Sequence, residues 1–86
     1  MSVNFEKVFL SLDNEKEIKG FLKDLLSPKE YESLKERWRI AELLNKGHPY
    51  REISELTGAS TATITRVARC FTSDKSGYKK ALEKIN

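Results

Sequence analysis

The stretch Tyr50-Arg51-Glu52-Ile53-Ser54-Glu55-Leu56-Thr57-Gly58-Ala59-Ser60-Thr61-Ala62-Thr63-Ile64-Thr65-Arg66-Val67-Ala68-Arg69-Cys70 reads as two short helices joined by a tight turn. Ile53 and Leu56 give the first helix an apolar edge, and Gly58 can end it in the left-handed conformation that other residues avoid. Ala59 is small enough to sit under the turn. Ser60 is an N-cap, its hydroxyl able to accept from a free backbone N–H of the next turn. From Thr61 the second helix carries Ile64, Val67, Ala68 and Phe71 at the spacing of a buried face. Thr61, Ala62, Thr65, Arg66 and Arg69 are left on its outer face. A buried inner edge with short side chains and arginines outside is what a DNA-reading helix-turn-helix needs. An ordinary amphipathic helical hairpin is the alternative.

The propensities of the second helix are peculiar. Thr61, Thr63, Ile64, Thr65 and Val67 are β-branched and lose rotamer freedom in a helix, at up to about 0.7 kcal/mol each relative to alanine. Such a helix must be held by tertiary packing or by DNA. The outward threonines favour DNA, because a hydroxyl can meet base edges or phosphates while the methyl touches thymine.

Working outward, the chain of 86 residues is the size of one small domain, near the limit where a single core is marginal. The net charge of +3 and pI of about 9.1 fit a nucleic-acid partner without proving one. The sign is uneven: after Glu55 the only acids are Asp74 and Glu83, against Arg66, Arg69, Lys75, Lys79, Lys80 and Lys84. The anion-facing surface therefore belongs to the C-terminal part. Cys70 is the only cysteine, which rules out an intrachain disulfide and suggests a reducing compartment. With no long apolar run, neither a signal peptide nor a membrane span is expected, and a cytoplasmic protein is.

Toward the N-terminus, Phe5, Val8, Phe9 and Leu12 predict a helix over 4–12. Asn14 and Glu17 have capping-box spacing ahead of a second helix over 15–26, with Ile18, Phe21, Leu22, Leu25 and Leu26 at helical period. Ser27-Pro28 restarts the chain, with Glu30 in the first turn, and a long central helix over 28–46 ends at Gly47. Its apolar stripes (Tyr31, Leu34, Trp38 and Ala41, with Ile40, Leu43 and Leu44) are broader than one packing partner requires. After Phe71 a polar loop leads to a last helix with Tyr78, Ala81, Leu82 and Ile85 on one side.

The expectation is an all-α chain of six helices forming one domain: N-terminal dimerisation helices over 1–26, the central helix over 28–46, the helix-turn-helix over 50–71 and a C-terminal helix over 77–86. So small a chain has more apolar face than it can cover. An interlocked dimer, each N-terminal region packing on the partner's long helix, covers it and supplies the two-fold symmetry that paired major-groove readers use. Phe5, Phe9, Phe21, Leu25 and Trp38 are its candidate interface residues.

Leu26-Ser27-Pro28-Lys29-Glu30, followed by Leu34, Arg37, Arg39, Ile40, Glu42, Leu43, Leu44 and Gly47, resembles the central helix of the tryptophan repressor family. Arg51-Glu52-Ile53 and Ala62-Thr63-Ile64-Thr65-Arg66 look like its DNA-reading segment. The match runs from about Leu26 to Phe71, with one residue fewer around His48 and Pro49. The short N-terminal arm and the Gly77-Tyr78 tail look closer to the small tryptophan-repressor-related YerC/YecD group of Gram-positive bacteria. The resemblance implies an intertwined homodimer that regulates transcription. By position it implies that Arg51 reads a base, that Thr61 and Ala62 lie against the groove, and that Thr65 touches a base or phosphate. It also puts Ser27, Arg37 and Arg66 where the family holds its corepressor. Val67 stands where tryptophan-binding members have glycine, and Cys70 where they have serine.

The function expected is a sequence-specific DNA-binding regulator, a repressor, acting as a homodimer on double-stranded DNA at a two-fold-symmetric operator. Ser60, Thr61, Ala62, Thr65, Arg66, Arg69 and Arg51 form its reading face. Ser27, Arg37, Arg66, Val67 and Cys70 surround a possible ligand pocket, with the effector open and tryptophan not expected. Bland readings stand beside these: Arg51 as a solvated arginine next to Glu52 or Glu55, Arg37 and Arg66 in ion pairs or on phosphate, Cys70 as buried packing, Trp38 as core. His48 is alone where a metal site needs several convergent ligands, so no metal or cofactor is expected. No acid pair, nucleophile–base pair or glycine-rich phosphate loop suggests an enzyme. The reading from another class is a protein-interaction or transcription-adaptor module that kept a helix-turn-helix shape. The DNA-binding region of σ-factors has a similar helix-and-turn pattern, so a fragment of such a recruiter is a further alternative.

Overall fold

The structure, a computed structural model, describes residues 4–85. Six helices follow in order: α1 Phe5–Ser11, α2 Glu15–Leu25, α3 Pro28–Asn45, α4 Tyr50–Thr57, α5 Thr61–Cys70 and α6 Gly77–Ile85. No strand occurs among the described residues. The chain divides into two compact units after Glu32.

In the first unit, Asn4 caps α1 through the Glu6 N–H. Asn14 accepts the Glu17 N–H at 3.0 Å, while the Glu17 carboxylate takes the N–H of Asp13 at 2.8 Å. The reciprocal bond of the capping box is thus made one residue early. The rings of Phe5, Phe9 and Phe21 form a triad with centroids 5.1, 5.5 and 6.4 Å apart, the range where edge-on and tilted pairs are favourable. No residue of α1 or α2 is buried, and Phe5 and Leu25 keep about half their surface exposed. At the start of α3 the capping box is complete: Glu30 N–H donates to Ser27 Oγ at 3.2 Å, and Ser27 N–H donates to the Glu30 carboxylate at 2.7 Å.

In the second unit, Ile40, Ala41, Leu43, Ile53, Ala59, Ile64 and Val67 form the core, with Trp38, Leu44, Phe71 and Tyr78 packed against it. Helix α3 ends because Gly47 adopts φ +86°, letting His48 N–H reach Leu43 O and Gly47 N–H reach Leu44 O. That double closure satisfies carbonyls the helix leaves open. Pro49 then precedes α4 and Gly58, at φ +76°, ends it. The Tyr78 ring stacks at 5.9 Å on Phe71 and at 6.5 Å on Trp38, tying α6 to α5 and α3.

Four burial expectations are corrected. Leu56 is 58% exposed, because the inward stripe of α4 runs from Ile53 to the half-buried Thr57, one full turn on, and passes Leu56 by. Cys70 is exposed, since it lies about 90° around α5 from the middle of the stripe of Ile64, Val67 and Phe71. Ile85 is exposed in the final turn of α6, where Leu82 is the buried residue. On α3, Leu34 is exposed and Trp38 half-buried, while Ile40, Ala41 and Leu43 carry the burial.

Candidate nucleic-acid interface

Only Gly58, Ala59 and Ser60 separate α4 from α5. Ala59 is 4% exposed and sits in the core, so nothing larger fits there without moving a helix. Ser60 caps α5, accepting from Thr63 N–H at 3.2 Å. The turn carries further bonds to which the sequence reading gave no role. Ser54 Oγ donates to Ala59 O at 2.9 Å; Thr57 Oγ1 donates to Ile53 O at 2.8 Å and accepts Ala59 N–H at 3.1 Å. A serine and a threonine in the last turn before a helix-ending glycine are the signal that could have found them.

Helix α5 is two-faced. Ile64 and Val67 are buried, while Thr61, Ala62, Arg66 and Arg69 are exposed and Thr65 is half-buried. The Thr65 hydroxyl donates to Thr61 O at 2.8 Å, within the helix. Its lone pairs remain, so toward a base it can act only as an acceptor while that bond lasts. Arg69 lies in the last turn, where its charge suits the helix dipole. On α4 the Arg51 side chain is 92% exposed, and its Nε is 3.9 Å from Glu55 Oε1. An exposed pair at that distance is worth little, so the guanidinium is free to swing to a stronger anion.

Charge follows the same division. Residues 1–32 hold five basic and seven acidic side chains; residues 33–86 hold eleven basic and six acidic. The helix-turn-helix therefore belongs to a unit of net +5.

The candidate ligand residues are placed differently from one another. The Ser27 hydroxyl is taken by the α3 cap, and Ser27 lies in the first unit. Arg37 is half-buried, Val67 is buried in the core, and the Cys70 thiol donates to Arg66 O at 3.5 Å. Of these residues Cys70 alone lines the shallow groove formed with Trp38, Gly77, Tyr78 and Ala81. Among the described residues no group of His, Cys, Asp and Glu could hold a metal. No described helix is long and apolar enough to cross a membrane. His48 Nδ1 lies 2.9 Å from Glu52 Oε1, a local link across the turn into α4.

Six helices with this turn and this two-faced α5 define a helix-turn-helix protein of the kind that regulates transcription. The model of the Trp repressor protein family matches residues 3–86, and the chain belongs to that family. It is 41% identical over 76 residues to the uncharacterized protein YerC of Bacillus subtilis (strain 168), covering 88% of this chain and 73% of that one. The crystal structure of a TrpR-like protein from Eubacterium eligens ATCC 27750 superposes with a TM-score of 0.85 at 37% identity, over 92% of this chain and 81% of that one. A candidate Trp repressor from Staphylococcus aureus gives 0.86 at 35% identity, over 93% and 80%.

Proposed function

We propose that this chain is a cytoplasmic, sequence-specific DNA-binding repressor that reads a two-fold-symmetric operator as an intertwined homodimer. The observation that carries the reading is α5 itself. Its inner edge is locked into a core by Ile64 and Val67, while Thr61, Ala62, Arg66 and Arg69 face outward in a unit of net positive charge. In the major groove, short side chains let the helix approach the bases and arginines reach guanine edges or phosphates. Arg51 reads from α4, and the capped start of α5 presents N–H groups to phosphate. Ser60, Thr65 and the outward arginines complete the contact surface.

The dimer reading is supported by incompletely covered apolar side chains in each unit. In the first, Phe5 and Leu25 are half-exposed and Phe9 and Phe21 only half-buried; in the second, Trp38 is half-buried. A second copy covering them supplies the burial that one chain lacks. The effector reading rests on the resemblance, in which Val67 and Cys70 stand where tryptophan-binding members have glycine and serine beside the two arginines matched by Arg37 and Arg66. Tryptophan is therefore not the ligand. The test is selection of duplexes from a random pool, followed by affinity measurement on the winner over a salt series. Specific binding with a steep salt slope is expected. Equal, weak binding to every duplex would leave the adaptor reading in its place.

A further inference from the structure

Both main-chain polar groups of Ala59, on the peptide units to either side of it, are held by side chains of α4. Thr57 Oγ1 takes the N–H and Ser54 Oγ donates to the C=O. The Thr57 hydroxyl is committed in both directions, because its own hydrogen goes to Ile53 O. All three bonds are partly buried, where water competes least. The Ala59 methyl is meanwhile fixed in the core. The residue that joins α4 to α5 is thus pinned on three sides, while its neighbours make main-chain bonds, Gly58 N–H to Ser54 O at 2.8 Å and Ile64 N–H to Ser60 O at 3.1 Å.

We infer that Ser54 and Thr57 are positioning residues for DNA reading: their hydroxyls clamp the two peptide units that flank the Ala59 Cα and set the angle at which α4 presents α5. The inference rests on the proposed reading of DNA by α5. Neither residue needs to touch DNA. Specific recognition demands that several side chains on α5 and Arg51 on α4 meet their bases at once, so a loosened joint costs specific binding. Non-specific binding depends on phosphate charge and tolerates a range of angles. The clamp therefore controls the ratio between the two.

The experiment measures affinity for the selected duplex and for an unrelated duplex of equal length, at one salt concentration and well below the melting temperature. Thr57→Val keeps the shape and removes the hydroxyl; Ser54→Ala removes only the bond to the carbonyl. Each should lower the specific-to-unrelated ratio by up to about tenfold, the scale of one hydrogen bond, with the salt slope unchanged. Thr57→Ser and Ser54→Thr, which keep the hydroxyl, should restore the ratio. If Thr57→Val melts below the assay temperature, Ser54→Ala carries the comparison. A ratio unchanged in the folded variants, or equal losses on both duplexes, overturns the clamp's role. A parent protein that prefers no duplex overturns the DNA reading instead, which separates the two failures.

Discussion

At position 67 an isopropyl group, 1% exposed, shares a core with Ile40, Ile53 and Ile64. Val67→Ala should cost about 2–3 kcal/mol in thermal denaturation, the transfer of two methyl-sized groups plus the cavity left behind. The same position bears on the proposed effector reading, since the resemblance puts a glycine here in tryptophan-binding members. Overpacking an indole against it costs about 1–3 kcal/mol, and a thiol at Cys70 poorly replaces a hydroxyl on the ligand's ammonium group. Calorimetry with L-tryptophan should show no saturable micromolar binding. The Val67→Gly, Cys70→Ser double variant should gain measurable affinity if the pocket is otherwise intact. Glu30 offers a second test at this scale. Its bonds from the Ser27 backbone and hydroxyl side hold its carboxyl below the usual glutamate range. A folded value below the unfolded one means the cap's contribution is complete above the ordinary glutamate pKa and fades as pH falls through the lowered one. In an NMR titration the Ser27 amide should shift with a midpoint below that of an unperturbed glutamate. Glu30→Gln should abolish that transition.

The turn between α4 and α5 is the element on which the rest depends. Gly58 sits at φ +76° with open space where a Cβ would go, so Gly58→Ala meets no clash and pays only for the left-handed backbone. That should cost about 1–2 kcal/mol, several degrees of melting temperature in a chain this short, and Gly58→Asn should cost less. Gly58, the Ser60 cap and the Ile64–Val67 period were legible from the sequence because each depends only on near neighbours. The same holds for Ser27 capping α3. What was not legible depends on objects the local pattern does not contain. Leu56 and Thr57 lie to either side of the direction that Ile53 takes, and only the position of α5 and α3 decides which turns inward. Cys70 is one residue from the half-buried Phe71, yet it is exposed beside an open groove shared with Trp38, Tyr78 and Ala81. The hydroxyl of Ser54 finds a carbonyl five residues later, which requires knowing the path of the turn. Of the site, the outer residues of α5 were legible from helical spacing; the bonds that hold them in place were not.

For the molecule as a whole, the proposed reader is a pair of chains. Phe5, Leu10 and Leu25 in the first unit remain exposed to water in one chain, at 52%, 85% and 49%. Light scattering at micromolar concentration should therefore give twice the chain mass, and a well-folded monomer there contradicts the interlocked arrangement. Trp38, half-buried and stacked on Tyr78, bears on the same point. Trp38→Ala should approach the roughly 3–5 kcal/mol of a fully buried aromatic only if the partner completes its cover. Two-fold symmetry then places two copies of α5 on one face of a duplex, one helical turn or a multiple of it apart. The central claim is that this pair reads sequence through the outer face of α5 and Arg51. The most direct measurement is the affinity of Arg51→Ala and of the parent for the selected operator and for operators altered one base pair at a time. A loss of about 1–3 kcal/mol on the operator, with discrimination relaxed at one base pair in each half-site, is the predicted result. Unchanged affinity and unchanged discrimination at every position would contradict it.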